Sequence, residues 1–448
     1  MEPTRQLATF IATAPIEALP PSMLHEAKRT LINLLAVALS ASMDESVPAL
    51  EAWDGAWGDE ATVIGRGRTS SGRAALVNGY LAHLQDYDDT HFPSILHPSA
   101  PTWPAVLAAA ESRGATGLAA LGAFVLGAEA ACRVAMSVHP WHYDAGWHIT
   151  GTAGVFGGAA GAARVIGLDV EAATRAIGLA GTHASGVREA FGTNGKAMHA
   201  AQAAEVGLRS AVLAGRGWRG PETILEGRRG FWAVASPAGH DVSVLDGLDA
   251  SMSRWELGQN GLKPYANGVV SHPLQDAAIE LQERHGIDAG EVSRIEARVH
   301  PLVLELMNRV QPATGLEGKF SHQHCIAAAL VDGAGHEAQF TDARVRDPLI
   351  ASIRALVHAT PDAAVAEDAT HLEVTLRDGT TYSTHVEHAT GSPANPMSDE
   401  RLEAKFAALA EPVLGASRAR ALLDAAWHLD EASDVRGLMA LTTSTTSP

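Results

Sequence analysis

The chain of 448 residues has only two cysteines, Cys132 and Cys325. Two thiols cannot build a disulfide framework, nor can they alone hold an iron–sulfur cluster, so cluster-dependent hydration chemistry is disfavoured. Cations are scarce too: 33 Lys and Arg stand against 51 Asp and Glu, a formal charge of −18. Such a surface repels nucleic-acid phosphates and anionic lipid headgroups, so neither nucleic acid nor membrane is expected as a partner. A small anionic substrate would have to be held by a local group of positive side chains that overcomes the global field. Aromatic residues make up 5% of the chain, poor material for a cavity that shelters carbocations. The N-terminal stretch lacks a basic segment followed by an apolar run, because Glu2, Glu17, Glu26 and several prolines interrupt it; nothing points to export, and a cytoplasmic location is expected. The most apolar stretch, 117–128, is well short of the roughly 20 residues of a membrane span. Glu129 and Arg133 follow it, and it reads as a buried core helix.

What the chain does have is hydrophobic content of 46%, enough for a large core in two or three domain-sized units. From Ser22, SMLHEAKRTLINLLAVALSAS puts Met23, Ala27, Leu31, Leu34, Leu35 and Ala38 on one helical face, with Ser22 as N-cap. Helical patterns recur at 73–85, 103–112, 117–137, 155–167, 170–180 and 198–215, and almost no strand signal precedes residue 290. Several segments are dominated by Ala and Gly, such as GVFGGAAGAARVIG. Glycine costs about 1 kcal/mol per interior helical position, so its use here predicts helices that pack closely. The pattern changes after Gly286. EVSRIEARVH reads as a partly buried strand, and HLEVTLRDGTTYSTHVEHA as a hairpin around Asp378-Gly379, with helices at 319–332 and 348–356. After the GSPANP loop, helices are expected at 399–409 and 416–428, and the final TTSTTSP is expected to fray. The fold class is therefore mainly α: a large all-helical domain of residues 1–262 and 392–448, with a smaller α+β domain of residues 263–391.

Four clusters could carry chemistry. Asp86-Tyr87-Asp88-Asp89-Thr90-His91 continues to His97, and its carboxylates would repel one another unless cations or donors intervene; the plainer reading is an acidic helix end capping its own backbone. Trp147-His148-Ile149-Thr150-Gly151-Thr152 leads into a small-residue helix, where amides favour anions and His148 could move a proton, unless it is simply a packed histidine. Phe191-Gly192-Thr193-Asn194-Gly195-Lys196 places a lysine where the helix dipole opposes it, which suits a carboxylate ligand; the spacing is not that of a P-loop. Leu262-Lys263-Pro264-Tyr265-Ala266-Asn267 runs on to His272 at the junction of the two regions, although Lys263 could be an ordinary surface lysine.

The order of these segments, with DYDDTHFPSILHPSAPTWPAVLAAAE, GWHITGTAGVFGGAAGAARVIGL, GTNGKAMHAAQAAEVG, LKPYANGVVSHPLQDA, KFSHQHCIAAALVDG and GSPANPMS, resembles the MmgE/PrpD family across nearly the whole chain. That family includes 2-methylcitrate dehydratase, cis-aconitate decarboxylase and iminodisuccinate epimerase. The resemblance implies a helical domain built from both chain ends, an α+β lid with the active site beneath it, a homodimer, and no metal or organic cofactor. Carried over by position, the site residues are Asp86, Thr90, His97, His148, Lys196 and Lys263, with His272 as a weaker match; Tyr143 and Thr152 beside His148 join Thr90 and His272 as expected substrate contacts.

Three departures bear on the reaction. The stretch after Lys263 lacks the close histidine of decarboxylase-like members, and the segment from Thr90 to His97 is one residue longer than in that branch; the tryptophan-rich insertion of 2-methylcitrate dehydratases is also missing. The expected function is a cofactor-independent lyase on a small polycarboxylic acid, of the dehydratase type, working by proton transfer alpha to a carboxylate. An epimerase or isomerase, or a decarboxylase on a related di- or tricarboxylate, is the alternative. Lys196 and Lys263 would stabilise charge on carboxylate oxygens, His148 or His97 would act as base or acid, Asp86 would orient a histidine, and Thr90 would hold substrate. Two rivals differ in kind: a magnesium-dependent terpenoid synthase using the Asp86-Asp89 cluster, for which no second metal motif is present, and a non-catalytic helical scaffold, for which these side chains would not meet.

Overall fold

Small side chains decide how the helices of this protein meet. In a computed structural model that describes residues 2–52, 58–249 and 251–443, the longer helices are α1 (Pro3–Thr13), α2 (Pro21–Ala41), α3 (Ser71–Leu84), α4 (Ser99–Arg113), α5 (Gly117–Val138), α6 (Gly154–Ile166), α7 (Val170–Gly181), α8 (Asn194–Gly215), α9 (His272–His285), α10 (His322–Asp332), α11 (Asp399–Leu414) and α12 (Ala416–Trp427). At the centre, α6 packs on α4, α5 and α8. A Cβ on Gly207 of α8 would sit 2.6 Å from the backbone nitrogen of Ala159 on α6, and one on Gly127 of α5 would sit 2.9 Å from the Gly157 carbonyl. The backbones touch there because no side chain intervenes.

Helix α5 is long and apolar enough to cross a membrane by length and composition alone, yet 83% of its most apolar window is buried within the protein. Its Glu129 is 0% exposed and is paired with Arg133 at 2.8 Å. The start of α2 differs from the sequence reading. The N-cap is Pro20, not Ser22, which lies inside the first turn. Pro21 takes the first helical position, where its fixed φ is favourable and its missing N–H would have had no partner.

Two hydrophobic cores form. The larger gathers Leu7 to Leu262 together with Met397, Leu402, Phe406, Leu422 and Leu438 from the chain's end. The smaller gathers Ala266 to Val374, joined by Val37 and Tyr87 from the helical body. Its sheet has the order β6-β5-β7-β8, from β5 (Val292–Val299), β6 (Val357–Pro361), β7 (Thr370–Leu376) and β8 (Thr381–Val386). The β7–β8 pair is the hairpin expected at Asp378-Gly379, and Gly379 takes φ +88° in its turn. The parallel pairing of β6 with β5 has no counterpart in the sequence reading, whose helix at 348–356 ends just short of that edge; in the structure the helix stops at Arg354. Helix α9, also unforeseen, packs on β7 and β8.

Four very short strands lie earlier in the chain. β1 (Ala61–Thr62) pairs with β2 (Arg68–Thr69), and β3 (Asp89–His91) runs antiparallel to β4 (Asn260–Leu262). The second pairing sets Asp89 opposite Leu262, which brings the acidic segment beside Lys263. Of the tail expected to fray, 444–448 lies outside the described residues, while Thr442 is 0% exposed and its carbonyl accepts from the Gly65 N–H at 2.9 Å. A backbone partner on another segment holds that residue against the general tendency of termini to loosen.

Candidate active site

Where α3 ends, Asp86 adopts φ 52°, a left-handed conformation unusual for a residue with a side chain. The turn aims its carboxylate at two lysines from distant parts of the chain. Asp86 Oδ1 accepts from Lys196 Nζ at 2.7 Å and from Lys263 Nζ at 2.6 Å, and Lys263 Nζ also donates to the Asp86 carbonyl at 3.1 Å. Lys196 stands in the first turn of α8, whose N-cap is Thr193, and Lys263 directly follows β4. All three side chains are buried. Burial alone would raise the Asp86 carboxyl, but Lys196 and Lys263 together hold it well below the usual carboxylate range. Burial lowers Lys196 against the pull of Asp86.

Beside this ion triad lies a group of imidazoles. Asp88 Oδ2 meets His83 Nδ1 at 2.7 Å, and Asp88 Oδ1 lies 3.3 Å from His97 Nδ1. The nearest acceptor to His97 Nδ1 is the Asp89 carbonyl at 2.6 Å. That nitrogen therefore carries the proton and leaves Nε2 free for chemistry. The His83 ring stacks on His148 at 5.6 Å, and His148 Nδ1 shares a hydrogen bond with His199 Nδ1 at 2.9 Å, leaving His148 Nε2 buried without a protein partner. Burial, reinforced by His83 and Lys196, pushes His148 well below its ordinary value, and burial with Lys196 nearby takes His83 down to about 3. Both rings are neutral at neutral pH.

The third carboxylate of the acidic segment serves the fold. Asp89 accepts from the Ser99 hydroxyl, from the Ser99 backbone N–H at 3.3 Å and from Asn260 Nδ2 at 2.7 Å. It thereby ties the start of α4 to β4, and burial raises it to about 6. The three aspartates thus face three different sets of donors, lysines, imidazoles and hydroxyl or amide, which is not the shared cation pocket of the terpenoid synthase reading. His83, Asp88 and His97 offer ligand atoms within 4.8 Å of one another, the geometry a metal ion could use. Lys263 Nζ at 3.8 Å from Asp88 already supplies positive charge there.

These groups share one cavity. Asp86, His97, Tyr143, His148, Lys196 and Lys263 line its polar side, and Phe191, Leu306, Met307 and Phe320 close the other. The space for water is about 40 Å³, room for a few water molecules and too little for a tricarboxylate, so the walls must move apart for one to bind. Residues expected from the sequence are therefore divided. Asp86, His97, His148, Lys196, Lys263 and Tyr143 come together. Three expected substrate contacts do not line the cavity, because each is engaged by protein: Thr90 Oγ1 lies 3.4 Å from His97 Nδ1, Thr152 Oγ1 bonds His142 Nε2 at 2.7 Å, and His272 Nε2 meets the Asn267 carbonyl at 3.3 Å. The orienting carboxylate for the histidines is Asp88, whereas Asp86 serves the lysines.

Two buried lysines went unread in the sequence. Lys319 Nζ donates to the Gln85 carbonyl at 2.7 Å, the Ala266 carbonyl at 3.0 Å and Glu337 at 2.5 Å. Lys405 Nζ donates to Asn33 Oδ1 at 2.6 Å and to the Tyr87 and Lys263 carbonyls, both at 2.8 Å. Their only sequence signal was KF at 319 and 405, which no spacing rule singles out.

A helical body and a mixed α+β unit closing on a buried Asp–Lys–Lys cluster with neutral imidazoles define an enzyme built for proton transfer, a lyase. The chain belongs to the MmgE/PrpD family: its residues 5–242 match the MmgE/PrpD N-terminal domain and its residues 265–431 the MmgE/PrpD C-terminal domain. It is 27% identical to cis-aconitate decarboxylase of Mus musculus over 98% of this chain and 93% of that protein. It is 29% identical to the Homo sapiens cis-aconitate decarboxylase over 82% and 78%, and 26% identical to that of Aspergillus terreus over 82% and 80%.

Proposed function

We propose that this lyase acts on a tricarboxylate of the cis-aconitate class by proton transfer next to a carboxylate, with loss of carbon dioxide as the first outcome. The observation that carries the reading is the meeting of two ammonium groups, Lys196 and Lys263, with two imidazoles, His97 and His148, at one cavity. Lys196 and Lys263 exchange part of their contact with Asp86 for substrate carboxylates and stabilise the negative charge that builds as a bond to the alpha carbon breaks. His148 Nε2 has no competing partner among the described residues and is the base. That base is used where an alpha proton leaves, in dehydration or epimerisation; in decarboxylation no proton is removed from carbon, and His97, held through Nδ1 and loaded at Nε2 with a proton from solvent, delivers the one proton that quenches the carbanion left as carbon dioxide departs. The apolar wall of Phe191, Leu306, Met307 and Phe320 surrounds a leaving carboxylate with little solvation, which favours its departure as neutral carbon dioxide. The mouse and human relatives, named for that reaction, support the same outcome.

Dehydration is the second reading. One observation favours it: no histidine follows Lys263 closely, and the ring of His272 is held on the Asn267 carbonyl. In that case the same base takes the alpha proton and His97 protonates the departing hydroxyl. The protein would work as a cytoplasmic homodimer without metal or organic cofactor, which light scattering and turnover in excess chelator check directly.

The deciding experiment incubates purified protein in deuterium oxide with cis-aconitate and, separately, with 2-methylcitrate, and follows both by NMR. A five-carbon dicarboxylate with release of carbon dioxide is expected from the first. An unsaturated tricarboxylate from the second would establish dehydration instead, and deuterium exchange without net conversion would mark an epimerase. If no compound of a wider di- and tricarboxylate panel reacts or exchanges, the reading fails.

A further inference from the structure

A second, larger cavity of about 630 Å³ adjoins the closed one, and the two share Phe191, Leu306 and Phe320 as walls. The Phe191 and Phe320 rings lie 5.7 Å apart and form the septum between them, one from the helical body and one from the smaller unit. Lys196 Nζ sits 5.5 Å and 5.7 Å from these two ring centres on the inner side. Outside the septum, two arginines line the larger space, Arg188 and Arg309, with Glu189 and Glu305 beside them. Arg188 reaches across the mouth to Glu305 at 2.8 Å, while its other arm donates to the Tyr143 carbonyl at 3.0 Å and its guanidinium lies 4.1 Å over the Tyr143 ring. Tyr143 is itself a wall of the inner cavity. Arg309 is exposed, and among the described residues its guanidinium makes no hydrogen bond or ion pair.

We propose that this vestibule is an anion-receiving subsite, in which Arg309 and Arg188, the latter on exchanging Glu305 for the ligand, hold a carboxylate of the incoming polycarboxylate before the aromatic septum parts. The proposal rests on the reading that the substrate is a polycarboxylate. Its physical basis is the mismatch between a chain of formal charge −18 and an anionic ligand. A guanidinium fork binds a carboxylate through two parallel hydrogen bonds; the two arginines of the lining are balanced by Glu189 and Glu305, so the local positive charge is that of Arg309, and of Arg188 once it leaves Glu305, and its attraction for an anion depends on salt. Glu305 is 51% exposed. It therefore yields to a ligand at small cost, since an exposed ion pair of this kind contributes little by itself.

The test uses Arg188→Gln, Arg309→Gln and Glu305→Gln in the full-length protein. With a reacting tricarboxylate, the two arginine variants together are expected to lower kcat/KM by about tenfold with a much smaller fall in kcat, and to flatten its dependence on ionic strength. Glu305→Gln is expected to raise kcat/KM a few-fold. Unchanged kcat/KM and unchanged salt dependence in the surface variant Arg309→Gln and in the double variant would overturn the proposal. Calorimetry with tricarballylate, a saturated tricarboxylate with no double bond or hydroxyl to react, separates this inference from the assigned reaction. Binding by the parent that the double variant loses supports the subsite even where turnover is absent. Equal binding by both, or binding by neither, rejects it.

Discussion

His148 is the residue on which the chemistry turns. Its Nδ1 is committed to His199 and its Nε2 is buried without a protein partner. His148→Gln keeps the volume and one hydrogen bond but removes the basic nitrogen, so kcat is expected to fall by about 10²–10⁴, the usual worth of a positioned proton acceptor. Near-normal turnover in a folded variant would reject the role. Because burial holds this imidazole well below its ordinary value, the loss of kcat that comes from protonating the base is expected to lie well below pH 6.5, and a loss centred there that disappears in His148→Gln would contradict the assignment. Lys196→Ala is expected to cost about 10²–10³ in kcat/KM through lost charge stabilisation. Much of this was readable at the level of residue type: carboxylates that repel need cations, and a lysine opposed by a helix dipole needs an anion. The partners were not readable. Asp86 and Asp88 are two positions apart in sequence and differ in role only because the left-handed turn at Asp86 sends one toward Lys196 and Lys263 and leaves the other with His83 and His97.

At the level of elements, the long helices were legible because an amphipathic or small-residue pattern over a dozen positions outweighs local exceptions. The parts that escaped were β6, α9 and the β3–β4 pairing, whose three-residue strands carry no periodicity and exist because tertiary contacts hold them. Those contacts include two buried ammonium groups. Lys405 on α11 grips the carbonyls of Tyr87 and Lys263, and Lys319, just before α10, grips those of Gln85 and Ala266. Each hydrophobic core thus sends a lysine to fasten the same two catalytic segments. Burial lowers Lys405, but three oxygens at 2.6–2.8 Å require three N–H donors, so the side chain is an ammonium. Lys405→Met leaves those acceptors unpaired and is expected to destabilise the protein by about 2–5 kcal/mol in urea unfolding. A change within about 0.5 kcal/mol, the range of an ordinary surface substitution, would show that the staple contributes nothing to stability.

For the whole molecule, the buried histidines make stability depend on pH in a direction that can be worked out. Burial takes His83 and His272 down to about 3 and His142, His322 and His324 to about 4, and it lowers His148 strongly as well. In the unfolded chain each imidazole protonates near about 6.5. Between roughly pH 6.5 and 4, unfolding therefore takes up protons at these six sites, and stability declines as pH falls. Buried acids oppose the trend. Burial raises Asp89 to about 6 and Glu129 to about 7. These stay protonated in the folded protein where the unfolded chain, with carboxyls near about 4, would release the proton. Burial also raises Glu26, Glu205, Asp276 and Glu367 and lowers His91, His139, His199, His336 and His371, so among the described residues the imidazoles that gain a proton on unfolding outnumber the carboxyls that lose one. The melting temperature is accordingly expected to drop between pH 7 and pH 5, with net proton uptake measurable from the buffer dependence of the calorimetric enthalpy. A melting temperature that holds steady or rises over that interval would mean that the imidazole cluster is already charged in the folded state, and a charged His148 could not take a proton from carbon.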